Sequence, residues 1–323
     1  MKYIFNTGIF LLAIIFSACQ KDLDMFVADP VAGPDSTWYN TITGSMPVAT
    51  LKEDIKIPVS KDSFTFGTVV TNVTTASGMQ CIFPPGSLMN NGQLVTGNIN
   101  LETYLLKKKG DMIRMGTPTV SNNRLLVSGG ELFIRLLKDG SELQVSPQSL
   151  IRINYDDAPI FQQMRLFYGD ESNPSAFNWL PVTDSAGNNV IPSIQSYQIL
   201  TNRLRWLNCD YFYDTTGSAQ TIVSPVLPSN YTNANSMAYL VFNDMRSVVP
   251  LYGNATTRRF RTGNLPVNKP VTLIVISKQG DNYFLGHEDA ITSGNSGTIA
   301  IQDITVTPVI TSLNNIKAYL DSL

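Results

Sequence analysis

Along much of the chain apolar and polar side chains alternate one for one, the period of a strand with one face buried. Ile55-Lys56-Ile57-Pro58-Val59 and Phe64-Thr65-Phe66-Gly67-Thr68-Val69 open the pattern. Met79-Gln80-Cys81-Ile82-Phe83 follows and runs into Pro84-Pro85-Gly86, where Pro85 presets φ and Gly86 supplies the positive φ of a type II turn. A longer strand puts Val95, Gly97, Ile99, Leu101, Thr103 and Leu105 on one face and stops at Lys107-Lys108-Lys109, read as a solvated hairpin tip. Residues 125–128 and 132–137 make two strands around Gly129-Gly130, Asp139-Gly140 makes a hairpin turn, and Leu150-Ile151-Arg152-Ile153-Asn154-Tyr155 closes the set. About seven short strands at this spacing predict an antiparallel sandwich over residues 46–158.

Residues 159–202 read as a connecting hairpin or linker, with strands near Gln163 to Tyr168 and Phe177 to Val182. From residue 203 to 323 the β pattern resumes. Leu204 to Asp210 leads into Tyr211-Phe212-Tyr213, and Val271-Thr272-Leu273-Ile274-Val275-Ile276 is apolar on both faces, as in a central buried strand. Ser312 is a helix N-cap, with Leu313, Ile316, Leu320 and Leu323 at helical spacing behind it. The expected fold is all-β: two antiparallel sandwiches, the second Ig-like or related, with a short C-terminal helix docked on the second sheet.

The N-terminal stretch follows a different pattern. Lys2 gives a positive start, Ile9 to Phe16 an apolar run, and Ser17-Ala18 a small pair before Cys19. This is the layout of a secretory signal peptide, and the run is shorter than the roughly 20 apolar residues that span a bilayer. Phe16-Ser17-Ala18-Cys19 resembles the lipobox of bacterial lipoproteins, with Phe in place of the usual Leu. That resemblance implies a signal peptide over 1–18 and acylation of Cys19. Lys21, Asp22 and Asp24 resemble the lysine-plus-acidic signal that sends Bacteroidetes lipoproteins to the outer face of the outer membrane. Residues 19–45 carry turn and breaker residues without periodicity and read as a lipidated tether, onto whose neighbouring domain Trp38-Tyr39 pack.

Phe66-Gly67, followed by Met79-Gln80-Cys81-Ile82-Phe83-Pro84-Pro85-Gly86-Ser87-Leu88, resembles the opening of the ZU-five β-module. Val95-Thr96-Gly97, Gly116-Thr117-Pro118-Thr119 and Ser128-Gly129-Gly130-Glu131-Leu132-Phe133 are similar to Bacteroidetes surface proteins that carry such a module. The resemblance covers about a third of the chain and rests mainly on turn residues. Some eukaryotic relatives cleave themselves at His-Phe-Ser, a tripeptide this chain lacks, so that activity is not carried over.

Composition fits an exported β-protein. Charged residues make up 15% of the chain and apolar ones 43%, enough for real cores, and the net charge of −2 argues against a nucleic-acid partner. Lys107-Lys108-Lys109 and Arg258-Arg259-Phe260-Arg261 are local basic clusters. With Cys19 assigned to the anchor, Cys81 and Cys209 are expected to be buried free thiols, the alternative being a bridge between domains.

Catalytic chemistry finds little material. His287 is the sole histidine, and no Gly-x-Ser-x-Gly elbow supplies a nucleophile for it. His287-Glu288-Asp289 with Asp281 offers oxygen ligands without a cation-loop pattern, so no metal or cofactor is expected. Asp156-Asp157 ends a strand, where alternation points the two side chains apart. Asp35-Ser36, Asp184-Ser185 and Asp214-Thr215 resemble an O-glycosylation motif of exported Bacteroidetes proteins, which marks Ser36, Ser185 and Thr215. The function expected is a non-catalytic cell-surface lipoprotein held by membrane lipid at Cys19, binding an unknown surface protein or a glycan. For a glycan, Trp179, Trp206, Tyr211 and Tyr213 are the candidate stacking residues. A surface hydrolase is the remaining alternative.

Overall fold

Two packed layers of sheet, repeated twice, account for the alternation. The computed structural model describes residues 35–173, 176–183, 187–294 and 299–323. Cys19, Lys21, Asp22, Asp24 and Ser185 lie outside the described residues. The folded body is Ser36–Leu323, mostly antiparallel β with three short helices among the described residues.

The N-terminal lobe faces an eight-stranded sheet against a five-stranded one. The larger sheet runs in the order Ser60–Phe66, Gly97–Leu106, Arg124–Lys138, Arg205–Phe212, Arg165–Asp170, Asn178–Pro181, with two short strands beside Arg124–Lys138. The smaller runs Asn189–Pro192, Ser196–Thr201, Ile151–Asp156, Gln80–Phe83, Thr71–Thr74. Ile99, Leu101 and Thr103 are buried as their period predicts, and Ile99 and Leu101 share a core with Cys81, Phe83, Ile151 and Ile153 of the facing sheet. At the turn after Gln80–Phe83, Gly86 takes φ +69, the conformation its sequence context demands. Cys81 and Cys209 are free thiols buried in this one core, on opposite sheets rather than in separate domains. Burial pushes the Cys81 thiol up to about 12 and raises that of Cys209 as well.

The segment 159–202 is not a linker in this fold. Its strands extend the eight-stranded sheet and complete the five-stranded one. Arg205–Phe212, expected in the second sandwich, pairs with Arg124–Lys138 of the first.

The C-terminal lobe is built on a six-stranded sheet, ordered Arg259–Arg261, Val248–Asn254, Ser236–Phe242, Pro270–Gln279, Asn282–Ile291, Val309–Thr311. On one face Ala238, Leu240, Leu273 and Val275 pack against Val223, Leu265 and Ile304 of a three-stranded sheet. Within that smaller sheet Gln220–Val226 runs parallel to Ala300–Thr305. On the other face Met237, Tyr239, Val241, Ile274 and Ile276 meet three helices. Both faces are therefore covered, which is why the central strands read as apolar throughout.

Those helices come from three distant parts of the chain. Helix α1, Pro47–Ile55, starts with Pro at its first turn, where a missing N–H costs nothing, and buries Val48, Leu51 and Ile55. Helix α2, Lys109–Met115, buries Met112 and Ile113. Helix α3, Leu313–Asp321, is capped as predicted, with Ser312 Oγ accepting from Asn315 N at 3.1 Å, and it buries Ile316 and Leu320. Gly110 of α2 lies directly under α3, where a Cβ would stand 1.7 Å from the Leu320 carbonyl oxygen. Only glycine fits there.

The lysine run is not a hairpin tip. Lys107 Nζ donates to the Asp156 carbonyl at 3.0 Å, Lys108 to Asp321 at 2.8 Å and Lys109 to Phe242 at 2.8 Å. Each charge satisfies a carbonyl at a different element, which favours a helix start over a free loop. The supposed tether is also shorter than its composition implies. Trp38 packs on Phe260 at 5.0 Å, while Asn233 holds the Tyr39 backbone, accepting from its N at 3.0 Å and donating to its O at 2.7 Å. These contacts lie on the C-terminal lobe.

Candidate functional site

The four candidate stacking residues do not converge. Trp179 is fully buried, its indole N–H donating to the Pro118 carbonyl at 3.0 Å. Trp206 is 8% exposed and meets Tyr104 in a stacked pair at 6.0 Å, with Phe133 tilted against it at 5.1 Å. Both indoles fill an aromatic cluster on the outer face of the eight-stranded sheet and offer no open ring face. Tyr211 points to the other side of its strand and packs on Phe161, and half-buried Tyr213 lies under the Lys269 ammonium at 5.0 Å. Of the modification candidates, Ser36 is exposed and Thr215 half-buried, in a turn where Asp214 Oδ1 accepts from Thr216 N at 2.9 Å.

His287 stacks on Tyr319 of α3 at 4.8 Å, and Asp289 accepts from Thr272 Oγ1 at 2.5 Å. All three of His287, Glu288 and Asp289 lie on the strand Asn282–Ile291, whose alternation turns Glu288 to the opposite face. Among the described residues no three His, Cys, Asp or Glu side chains come together as a metal-binding group. Asp156 and Asp157 part as expected: Asp156 is exposed, and buried Asp157 takes Arg246.

Two constellations escaped the sequence reading. The first is a buried polar cluster where the lobes meet, on the strands Arg124–Lys138 and Arg205–Phe212. Glu131, Asn208 and Asp210 are each fully buried. Thr117 Oγ1 donates to Glu131 Oε2 at 2.5 Å, and Asn208 Nδ2 donates to Asp210 Oδ2 at 2.8 Å, leaving Glu131 Oε1 and Asp210 Oδ1 without partners. Burial is the main cause of a carboxyl pushed up to about 8 at Asp210, and it also raises Glu131 well above the ordinary range. Burial thus disfavours the charged form of both acids, and the neutral form is the cheaper one to bury. The cluster is sealed from solvent and serves the seam.

The second constellation is open. On the outer face of the five-stranded sheet three strands bring Gln80, Asn154 and Gln198 into register, since Asn154 pairs with Gln80 on one side and Gln198 on the other. Gln198 Nε2 donates to Asn154 Oδ1 at 3.1 Å, and Asn154 Nδ2 donates to Gln80 Oε1 at 3.0 Å. The row forms the floor of a groove of about 570 Å³, walled by the Asn189–Pro192 hairpin and by Asp156. Ile191 on that wall is 43% exposed and Ile194 at the hairpin tip 90%.

No family model matches this chain, and no curated protein matches it. Among solved structures, the crystal structure of domains A168-A170 from titin aligns with 73% of this chain and 100% of its own, at 7% identity and a TM-score of 0.16. A likeness of that size carries no argument about function.

Proposed function

We propose that the protein is a lipid-anchored surface lipoprotein with a non-catalytic binding or scaffolding role, held through an acylated Cys19 at the outer membrane and facing the cell exterior. The lipobox-like Phe16-Ser17-Ala18-Cys19 and the following Lys21-Asp22 support the anchor and its export. The turn at Pro84-Pro85-Gly86 supports kinship of the N-terminal lobe with the ZU-five module and names no ligand.

One observation carries the binding role. The chain enters its fold on the C-terminal lobe, through Trp38 and Tyr39, while the open groove belongs to a sheet of the other lobe. An anchor ahead of Ser36 is therefore tied to the lobe that does not bear the groove. The buried acids, by contrast, lack the access that acid–base catalysis requires.

The test compares cells producing the protein with cells producing Cys19→Ala. The native chain is expected in the outer-membrane fraction and to be degraded by proteinase added to intact cells, with the variant released from the membrane. Survival of the native chain while a known surface marker is degraded would overturn the surface reading.

A further inference from the structure

The amide row on the five-stranded sheet has the form of a recognition surface. Cross-strand pairs of polar side chains on an exposed face ordinarily add a few tenths of a kcal/mol to a sheet. Here the row sits at the floor of a concavity, with an exposed aliphatic wall beside it. Its members hold one another: the bonds from Gln198 to Asn154 and from Asn154 to Gln80 fix all three amide planes before any ligand arrives. Fixing them beforehand lowers the entropy lost on binding. At the two ends the Gln198 oxygen and the Gln80 nitrogen stay open, and the two donating amides, Gln198 and Asn154, each keep a second N–H. A row of carboxamides therefore presents donors and acceptors in alternation.

We propose that this groove binds a neutral, hydroxyl-rich chain, a saccharide polymer, laid across the strands along Gln80, Asn154 and Gln198. A hydroxyl is donor and acceptor at once, as a carboxamide is, so each sugar hydroxyl finds a two-way partner. Neighbouring strands lie about 4.8 Å apart, close to the length of one pyranose ring, so successive rings meet successive amides. Ile191 and Pro192 on the wall supply the apolar surface on which the C–H face of a ring rests. Asp156 is the sole charged residue lining the groove among the described residues, which disfavours a polyanion. The proposal rests on the reading of the protein as a binding module, and gives that module its ligand class and its site.

The decisive experiment is affinity electrophoresis of the folded protein through gels containing soluble starch, hydroxyethyl cellulose, xylan or galactomannan, with polygalacturonate as the anionic control. The native protein is expected to be retarded by at least one neutral polymer. An Asn154→Ala, Gln198→Ala double variant, with an unchanged melting temperature, should bind that polymer about tenfold or more weakly, two hydrogen-bonding groups having been removed. Trp206→Phe, in the aromatic cluster of the other sheet, should leave retardation as it was. Passage through every neutral gel unretarded, retardation by polygalacturonate alone, or retardation unchanged in the double variant would each overturn the proposal. Cross-linking to a surface protein that the double variant abolishes, with no polymer bound, would also overturn the ligand class and would leave the binding role standing.

Discussion

Arg246 grips Asp157 with both arms of its guanidinium, Nη1 to Oδ2 at 2.9 Å and Nη2 to Oδ1 at 3.1 Å. The carboxylate follows Ile151–Asp156, the central strand of the N-terminal lobe's five-stranded sheet, and the arginine precedes Val248–Asn254 of the C-terminal lobe. Ser128 N donating to the Arg246 carbonyl at 3.0 Å, and Ser247 Oγ to that of Leu126 at 2.6 Å, lie beside it. One strand, Arg124–Lys138, also serves both lobes, with Leu125 in one core and Leu132, Ile134 and Leu136 in the other.

Removing Arg246 leaves a buried carboxylate with no counter-charge. Arg246→Ala should destabilise the protein by about 3 kcal/mol, the lower end for a broken buried pair because the guanidinium is partly open to water. Adding Asp157→Asn to that variant should restore much of the loss. Urea unfolding of the single and double variants measures both, and additive losses would show that the pair is not coupled.

Asp210 makes stability depend on pH in a stated direction. Its carboxyl is raised from 3.8 to about 8 in the fold, so folding takes up a proton between those values. The stability it contributes is complete below about pH 4 and is lost as pH rises towards 8. Its neighbours are Glu131, Asn208 and Ser128, with Arg246 acting at longer range. Asp210→Asn cannot titrate, so its unfolding free energy should fall less steeply between pH 5 and 8, by at most about 1.4 kcal/mol per unit. Parallel slopes for variant and native protein would assign the dependence to other groups.

Gly110→Ala should loosen the C-terminal helix. The added methyl would meet the Leu320 backbone, which is not a side chain that can swing away. A cost of about 2–3 kcal/mol is expected, with faster hydrogen exchange in Leu313–Asp321 than in the central strand Ser236–Phe242. Unchanged protection of α3 would mean that α2 shifts instead.

What the sequence made legible is what local pattern controls. The buried face of Gly97–Leu106, the turn at Gly86, the Ser312 cap and the two-sided burial around Val271 to Ile276 all follow from neighbours along the chain. Helices α1 and α2 did not show, because nine and seven residues form too few turns to stand on propensity; they exist by packing on the six-stranded sheet. Ile55 ends α1 and Ile57 follows it in the connection to Ser60–Phe66, so their alternation belongs to no strand. The membership of Arg205–Phe212 in the first sheet was hidden because pairing is a long-range choice. Gln80 and Asn154 were visible as solvent-facing strand positions, but Gln198 lay in the segment read as a linker, and only register brings the three together. Glu131 and Asp210 did leave a sign in the sequence, each being the lone acid within its strand.

The clamp at the entrance of the fold has a mechanical consequence. Tension on the chain ahead of Ser36 is taken up first by the Asn233 bonds to Tyr39, the Trp38–Phe260 contact and helix α1, all on the C-terminal lobe. A load on the amide groove enters the other lobe and meets that tension where the lobes join: at the Arg246–Asp157 pair, along Arg124–Lys138, which serves both cores, and through the chain from α1 into Ser60–Phe66. The clamp and the groove thus sit on different lobes, and force between them is shared among these joints rather than carried by any one contact.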